Sequence, residues 1–379
     1  MSVRSIIKQI FPKVLLKNAF SVYNAIRIFT IDRFLFPEYI VKRHQFLVYR
    51  IGYPFRENAI DLQNIYDTKV RLHMQKWYDW TQEEFILHFD IACYIEPDQG
   101  WAIILPNRLL YYSLGISRTW FLPKPRLFKF LKRKSVVRLT KAISLRDTGE
   151  ENYFHFYNDV LAKLFFLKEN SVDITQTPII ISKKLWDKPF FKFYLKHQPE
   201  LNSLNWVVQD KEYIHCERIT FCKPLTHRTD LLKKVFSPLY QAPIDSGKKI
   251  FLTRNKKRMR HIVNSAEIEA LFIHYGFEIV DSDLLQMEQQ VEIFANAKVI
   301  VGIHGAGLTN LMLRNGECLV LEIFPHPEND YLPFHYIMLS KMKGFSYQAV
   351  IGEKSRARFS MGFYVNANVL EENLTYLLR

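Results

Sequence analysis

Apolar residues recur with two different periods along the chain, and the change from one to the other organises it. From about residue 45 to 145 they form short runs broken by turn residues, as in FILHFDIACYIEPDQGWAIILPNRLL. There Pro97-Asp98-Gln99-Gly100 predicts a tight turn between two extended segments. Residues 152–170, NYFHFYNDVLAKLFFLKEN, instead place Val160, Leu161, Leu164 and Phe165 at helical spacing behind Asn152, a residue type that caps helices. TPIIIS then predicts a buried strand, LWDKPFFKFYLKHQP a helix ended by proline, and LNWVVQ another strand. Alternation of strand and helix predicts a parallel sheet with helices on its faces.

Residues 237–247, SPLYQAPIDSG, combine two prolines and a glycine with small polar residues and predict a linker. Beyond it the alternation is cleaner. KKIFLT, FEIV, KVIVG and CLVLEIF are predicted strands; SAEIEALFIHYG, LLQMEQQVEIFANA and LTNLMLRNG are predicted helices between them. Four strands alternating with three helices over roughly 75 residues make a Rossmann-like half. The expected organisation is an N-terminal amphipathic segment (1–44), a first lobe (45–236), the linker (237–247), a second lobe (248–345) and a tail packing back on the body (346–379). The fold class is α/β, with two Rossmann-like lobes.

Charge adds partners to this outline. With 52 Lys and Arg against 38 Asp and Glu, the net charge of +14 suits nucleic acid, anionic lipid or phosphorylated small molecules alike. Ile6, Ile7, Ile10, Phe11, Val14 and Leu15 fall at helical spacing among Lys8, Lys13 and Lys17. Such a stripe fits an anionic membrane surface and a helix packed on the protein equally well. A second basic run extends from Lys124 through Lys129, Lys132 and Arg138 to Lys141, a solvated face or a seat for a phosphate-rich or membrane-bound partner. No run approaches the ~20 apolar residues of a membrane span, and no signal-peptide pattern is present. The four cysteines lack CxxC pairing, so a cytoplasmic address without disulfides is expected. His215, Cys216, Cys222 and His227 have the spacing of no common zinc site.

The densest chemistry lies in VGIHGAGLTN. A strand ending at Gly302 and a helix opening near Leu308 leave a loop whose backbone can approach a ligand closely, because Gly305 and Gly307 have no side chain. The unpaired amides of the helix start suit a diphosphate. Glu322 ends the next strand, where Rossmann-type folds place an acid on ribose hydroxyls. The spacing G-x-x-G-x-G departs from the dinucleotide fingerprint and disfavours nicotinamide or flavin.

These residues resemble the signature region of glycosyltransferase family 61: an Arg-bearing segment, a Gln before the last helix, the HGAGLTN loop and a Glu-Ile strand, in that order from Arg254 to Pro325. The helix NYFHFYNDVLAKL is similar to the family's Asn-Tyr-x-His element. The resemblance implies the type B glycosyltransferase architecture, with the acceptor in the cleft against the first lobe. It also implies inverting transfer from a nucleotide-sugar donor, with no cofactor and no catalytic metal. Donor-binding candidates are Arg254, Arg260 (with Arg258 as rival), Gln290, His304, Gly305, Ala306, Gly307, Leu308, Thr309, Asn310 and Glu322. A guanidinium grips two phosphate oxygens at once, which favours Arg254 as the fixed cation.

Inversion needs a base for the acceptor hydroxyl. His155 and Asp159, four apart, share a helix face; either is a candidate base, with Asp159 alternatively orienting His155. Asn264 and Glu267 read as a capping box. Asp281 and Asp283 imitate the Asp-x-Asp metal motif of type A transferases, although Ser282 or Asp283 as a helix cap explains them more simply. The expected partners are a UDP-sugar and a glycan or lipid-linked glycan acceptor in surface polysaccharide assembly, with no nucleic acid. A basic nucleic-acid-binding protein and a non-catalytic glycan-binding lobe pair are the rival classes.

Overall fold

Runs of isoleucine and valine without polar interruption become parallel strands in both halves of the chain. The computed structural model describes residue 22 and residues 32–114, 124–242, 247–254, 260–327, 332–355 and 362–379. The stripe at residues 6–17, Arg258 and residues 243–246 of the linker lie outside the described residues. The chain divides into two α/β units.

One unit contains Thr81–Pro238 and the described residues before Tyr53. Its ten strands are β1 (Glu38–Tyr39), β2 (Phe46–Gly52), β3 (Gln82–Phe89), β4 (Cys93–Ile95), β5 (Ala102–Ile104), β6 (Arg108–Leu110), β7 (Val136–Ser144), β8 (Ile179–Ser182), β9 (Trp206–Gln209) and β10 (Tyr213–Lys223). The predicted alternation yields the parallel part, in the order β9-β8-β7-β10. The strand-rich lead-in adds antiparallel partners, so the sheet is mixed: β10 pairs first with β4 and then, further along, with β3. The turn at Pro97–Gly100 joins β4 to β5, with Glu96 accepting from the amides of Asp98 and Gln99. The predicted helix spans Tyr153–Glu169, capped by Asn152, whose carboxamide oxygen accepts from Phe154 N at 2.9 Å. Its middle, Phe156–Leu161, is π-helical.

The other unit contains Tyr53–Trp80 and the described residues from Leu239 onward. Five strands, β11 (Lys248–Leu252), β12 (Glu278–Val280), β13 (Ala297–Ile303), β14 (Leu319–Phe324) and β15 (Ser346–Ile351), are all parallel in the order β12-β11-β13-β14-β15. Its core is apolar on both faces, with Phe251 stacked on Phe272 at 4.2 Å. Gly276, at φ 77°, closes the first helix in a left-handed conformation that glycine adopts without strain.

Several sequence expectations are revised here. The segment after residue 345 contributes a fifth strand, β15, and the covering helix Ala367–Leu378. Residues 53–80, expected in the first lobe, pack with this unit instead. Trp77 Nε1 donates to Leu332 O at 2.8 Å, and Tyr66 N donates to Gln348 Oε1 at 2.7 Å. Asn264 does not cap with its side chain: its carboxamide brackets Val365, donating to the carbonyl at 2.8 Å and accepting from the amide at 3.1 Å. Asp281, rather than Ser282 or Asp283, caps the turn Ser282–Leu284 by accepting from Asp283 N at 3.1 Å. That carboxylate thereby serves its own backbone.

Candidate active site

Ligands of open parallel sheets bind outside the carboxyl ends of the strands, where strand order reverses. In the second unit this point falls between β11 and β13. Arg254 follows β11 by two residues, and His304 and Gly305 follow β13 directly. The three glycines have separate physical reasons. A Cβ on Gly302 would lie 2.8 Å from Leu308 Cδ2, so its absence lets Leu308 tuck fully buried under the turn. A Cβ on Gly305 would fall inside the Arg254 guanidinium, within 2.7 Å of Cζ. Glycine is therefore what lets this cation lie on the loop backbone. Gly307 passes Ser282, whose Oγ would be 3.1 Å from an added Cβ. The segment Ala306–Leu313 then winds as a 3-10 helix, with Leu308 N donating to Gly305 O at 2.9 Å. Ala306 and Gly307 are half-buried, while Leu308, Thr309 and Asn310 are buried.

His304 is held on all sides. Its amide donates to Ile323 O at 2.9 Å, its ring stacks on Phe324 at 5.2 Å, and its Nδ1 lies 2.5 Å from Glu322 Oε1. A carboxylate only accepts, so Nδ1 carries the hydrogen. Tyr347 donates to the other oxygen of Glu322 at 2.5 Å. Burial, with the Glu322 charge adding to it, pushes the Tyr347 hydroxyl well up, which keeps it a donor. Glu322 is fully buried with an oxygen on each partner, so it orients His304 rather than meeting a ribose. Gln290 is likewise engaged by the protein: its Nε2 donates to Ser282 O and Leu285 O, and its Oε1 accepts from Asn310 Nδ2 at 2.8 Å. Both amides brace the loop from behind. Arg260 is exposed with φ 63°, and its charge and that of Arg254 both act on buried Tyr336.

The first unit repeats the arrangement at its own reversal, between β7 and β10. His155 Nδ1 lies 2.6 Å from Asp159 Oδ2, so the π-helical stretch keeps the predicted pair together. Asp159 Oδ1 accepts from Asn158 Nδ2 and Lys223 Nζ, each at 3.0 Å. Behind them Asp147 Oδ2 lies 2.7 Å from Lys163 Nζ and 3.5 Å from Lys223 Nζ. The His155 side chain retains 16% of its exposure against 5% for Asp159. His155 is thus the member a solute reaches.

Sequence reasoning missed Lys223, Asp147, Lys163 and Tyr347. The available signal was position: Lys223 ends a strand and Asp147 follows one, where open sheets gather site residues. Of the residues considered for zinc, Cys216 and Cys222 lie on β10, burial pushing each thiol up to about 12.

His227, fully buried behind Asn158, has its pKa pushed down to about 3 from 6.5 by desolvation, partly opposed by Asp159. The folded state therefore requires it neutral, so its contribution is complete above pH 6.5 and is lost as pH falls toward 3. Urea midpoints are expected to drop over that window, and His227→Gln should flatten the slope.

Comparison with known proteins agrees with these motifs. Residues 153–321 match the family model Glycosyltransferase 61. Over 308 residues the chain is 25% identical to protein O-linked-mannose beta-1,4-N-acetylglucosaminyltransferase 2 of Xenopus laevis, covering 72% of this chain and 53% of that protein. It is 23% identical to the protein of the same name from Xenopus tropicalis over 76% of this chain and 55% of that protein. Across 84 residues it is 32% identical to a beta-1,2-xylosyltransferase of Arabidopsis thaliana, 22% of this chain and 15% of that protein. The chain spans about half the length of the Xenopus relatives. The matched region begins at the helix carrying His155 and ends one residue before Glu322, so it takes in His155, Asp159, Lys163, Lys223, Arg254 and the His304 loop, while Asp147, Glu322 and Tyr347 lie outside it. Through residues 153–321 this chain is similar to the glycosyltransferase 61 family.

Proposed function

We propose that this protein transfers a sugar from a nucleoside diphosphate donor, UDP in our reading, to a hydroxyl of a glycan acceptor with inversion at the anomeric carbon. The observation that carries the proposal is the Arg254 guanidinium lying on Gly305 beside a helix start at the reversal between β11 and β13. A cation held there and the amides of the helix start meet the charge that grows on the diphosphate as the glycosidic bond breaks. His304, with Nδ1–H held by Glu322, braces the loop from which Gly305 follows. The acceptor oxygen forms the new bond to the anomeric carbon, and the electron pair of the old bond leaves with the diphosphate. His155 takes the acceptor proton on Nε2, and Asp159 stabilises the imidazolium through Nδ1–H.

With Arg254 and the helix start carrying the phosphate charge, this reading needs no metal. The relatives transfer N-acetylglucosamine and xylose by name, so UDP-GlcNAc and UDP-xylose are the first donors to test. The acceptor in this reading is a surface glycan assembled on a lipid carrier at the cytoplasmic face of a membrane. The helix Leu127–Leu131 supports that address: it exposes Phe128 at 77% and Leu131 at 60% beside Lys129 and Lys132. No helix among the described residues is long and apolar enough to cross a membrane. Nucleic acid is not a partner in this reading.

The test is thermal denaturation with UDP, UDP-GlcNAc, UDP-xylose or NAD, together with UDP release. UDP and at least one donor should raise the melting temperature, since ligand at 100 times Kd adds about 2.7 kcal/mol. NAD should not, and chelator should leave the shift intact. Absence of both shift and UDP release, with retention on DNA that falls steeply with salt, would replace this reading with the nucleic-acid one.

A further inference from the structure

We infer that Lys223, with Asp147 and Lys163 behind it, is a positioning residue for the His155–Asp159 pair, fixing the Asp159 carboxylate against His155 and balancing its charge. The inference rests on the base assignment above. Asp159 divides its two oxygens: Oδ2 faces His155 at 2.6 Å, while Oδ1 receives Lys223 at 3.0 Å and Asn158 at 3.0 Å. A carboxylate only 5% exposed needs charged or hydrogen-bonding partners to remain in place. Lys223 is itself 9% exposed and reaches Asp147 at 3.5 Å, and Asp147 is closed off by Lys163 at 2.7 Å.

The cluster is therefore two lysines and two aspartates, charge-neutral without the imidazole. The proton His155 gains during transfer meets a carboxylate already fixed in place. The charged and titratable groups around the pair come from several elements: Asp159 meets His155 from its own helix, Lys223 reaches Asp159 from β10, Asp147 beyond β7 and Lys163 stand behind Lys223, and His227 from the loop after β10 acts on both members of the pair. His227 stays neutral down to about pH 3, leaving the lysines and aspartates to set the field. Because Asp147 and Lys223 sit at the carboxyl ends of adjacent parallel strands, the cluster is built into the sheet reversal.

The test uses the full chain and two readouts. The His155 imidazole is titrated by 13C NMR, its signal assigned by loss in His155→Gln, and the pH profile of UDP release is measured with UDP-GlcNAc and UDP-xylose. Removing the ammonium in Lys223→Met leaves an extra negative charge beside the imidazole. The His155 midpoint and the acid limb of the profile should both rise by about one pH unit, with turnover on that acid limb falling about tenfold. Lys223→Arg keeps the charge and should leave the midpoint in place. Lys223→Met combined with Asp147→Asn removes one charge of each sign and should bring the midpoint back.

A purely structural lysine would lower the whole profile without moving its limb, and that result overturns the inference. An unmoved midpoint in Lys223→Met, or one still displaced in the double variant, does the same. If Lys223→Met does not fold, Lys223→Gln carries the same expectation under the same criterion. Wild type that releases no UDP would sink the transferase reading alone, because the NMR titration needs no donor.

Discussion

Arg254→Ala should abolish the UDP-dependent rise in melting temperature and lower kcat/KM by about 10²–10³, the usual cost of removing one fixed donor from developing charge. Gly305 has no Cβ, and the guanidinium occupies the place where one would stand. The cation is thus held against loop backbone, beside the amides of Ala306 and Gly307. Arg254→Lys should recover only a fraction of the loss, since an ammonium cannot span two phosphate oxygens. Gly305→Ala should reproduce most of the defect without touching the charge, because the added methyl and the guanidinium compete for one volume. The two substitutions combined should cost hardly more than Arg254→Ala alone, the signature of residues acting as one unit. Calorimetric titration with UDP across this cycle checks all three statements. Full additivity would mean that the glycine serves the turn and not the arginine.

The loop was legible in the sequence because its chemistry is local: glycines, histidine and helix start fall within ten residues, and each imposes its own backbone demand. The helix at residues 152–170 was legible for the same reason, since Asn152 and the apolar spacing act over a single turn. Its π-helical stretch was not, because one widened turn leaves the His155–Asp159 spacing workable and so leaves no mark on periodicity. Contacts between distant segments left no local trace either. Residues 53–80 join the second unit through Trp77 on Leu332 and Tyr66 on Gln348, pairs more than 250 residues apart. β15 was hidden because its inward Gln348 breaks the apolar run; that side chain is satisfied by Tyr66 N and Asn64 O. Lys223 and Asp147 carry no local signal, because only the sheet order places their strands side by side. Glu322 was found by position but given the wrong partner, because only the fold shows that β15 brings Tyr347 to its second oxygen.

His155→Ala should leave the UDP-dependent thermal shift intact and reduce turnover by about 10²–10⁴, the range expected when a positioned general base is lost. Binding should survive because the proposed donor site, Arg254 and the Gly305 loop, does not include His155. Asp159→Asn asks a different question. The carboxamide can still accept from Nδ1–H, but it carries no charge to stabilise the imidazolium and cannot pair with Lys223 as an ion. Turnover should fall less than in His155→Ala, with the fall residing in kcat rather than KM. Added imidazole should restore part of the activity of His155→Ala, since the missing ring leaves a space that opens to solvent. Added formate should not restore Asp159→Ala, whose missing carboxylate leaves a space that is closed. If formate rescues and imidazole does not, the roles are reversed: Asp159 takes the proton and His155 holds it in place. That outcome would also remove the reason for Lys223 to stand where it does, because a base that must accept a proton is poorly served by an ammonium 3.0 Å from its oxygen.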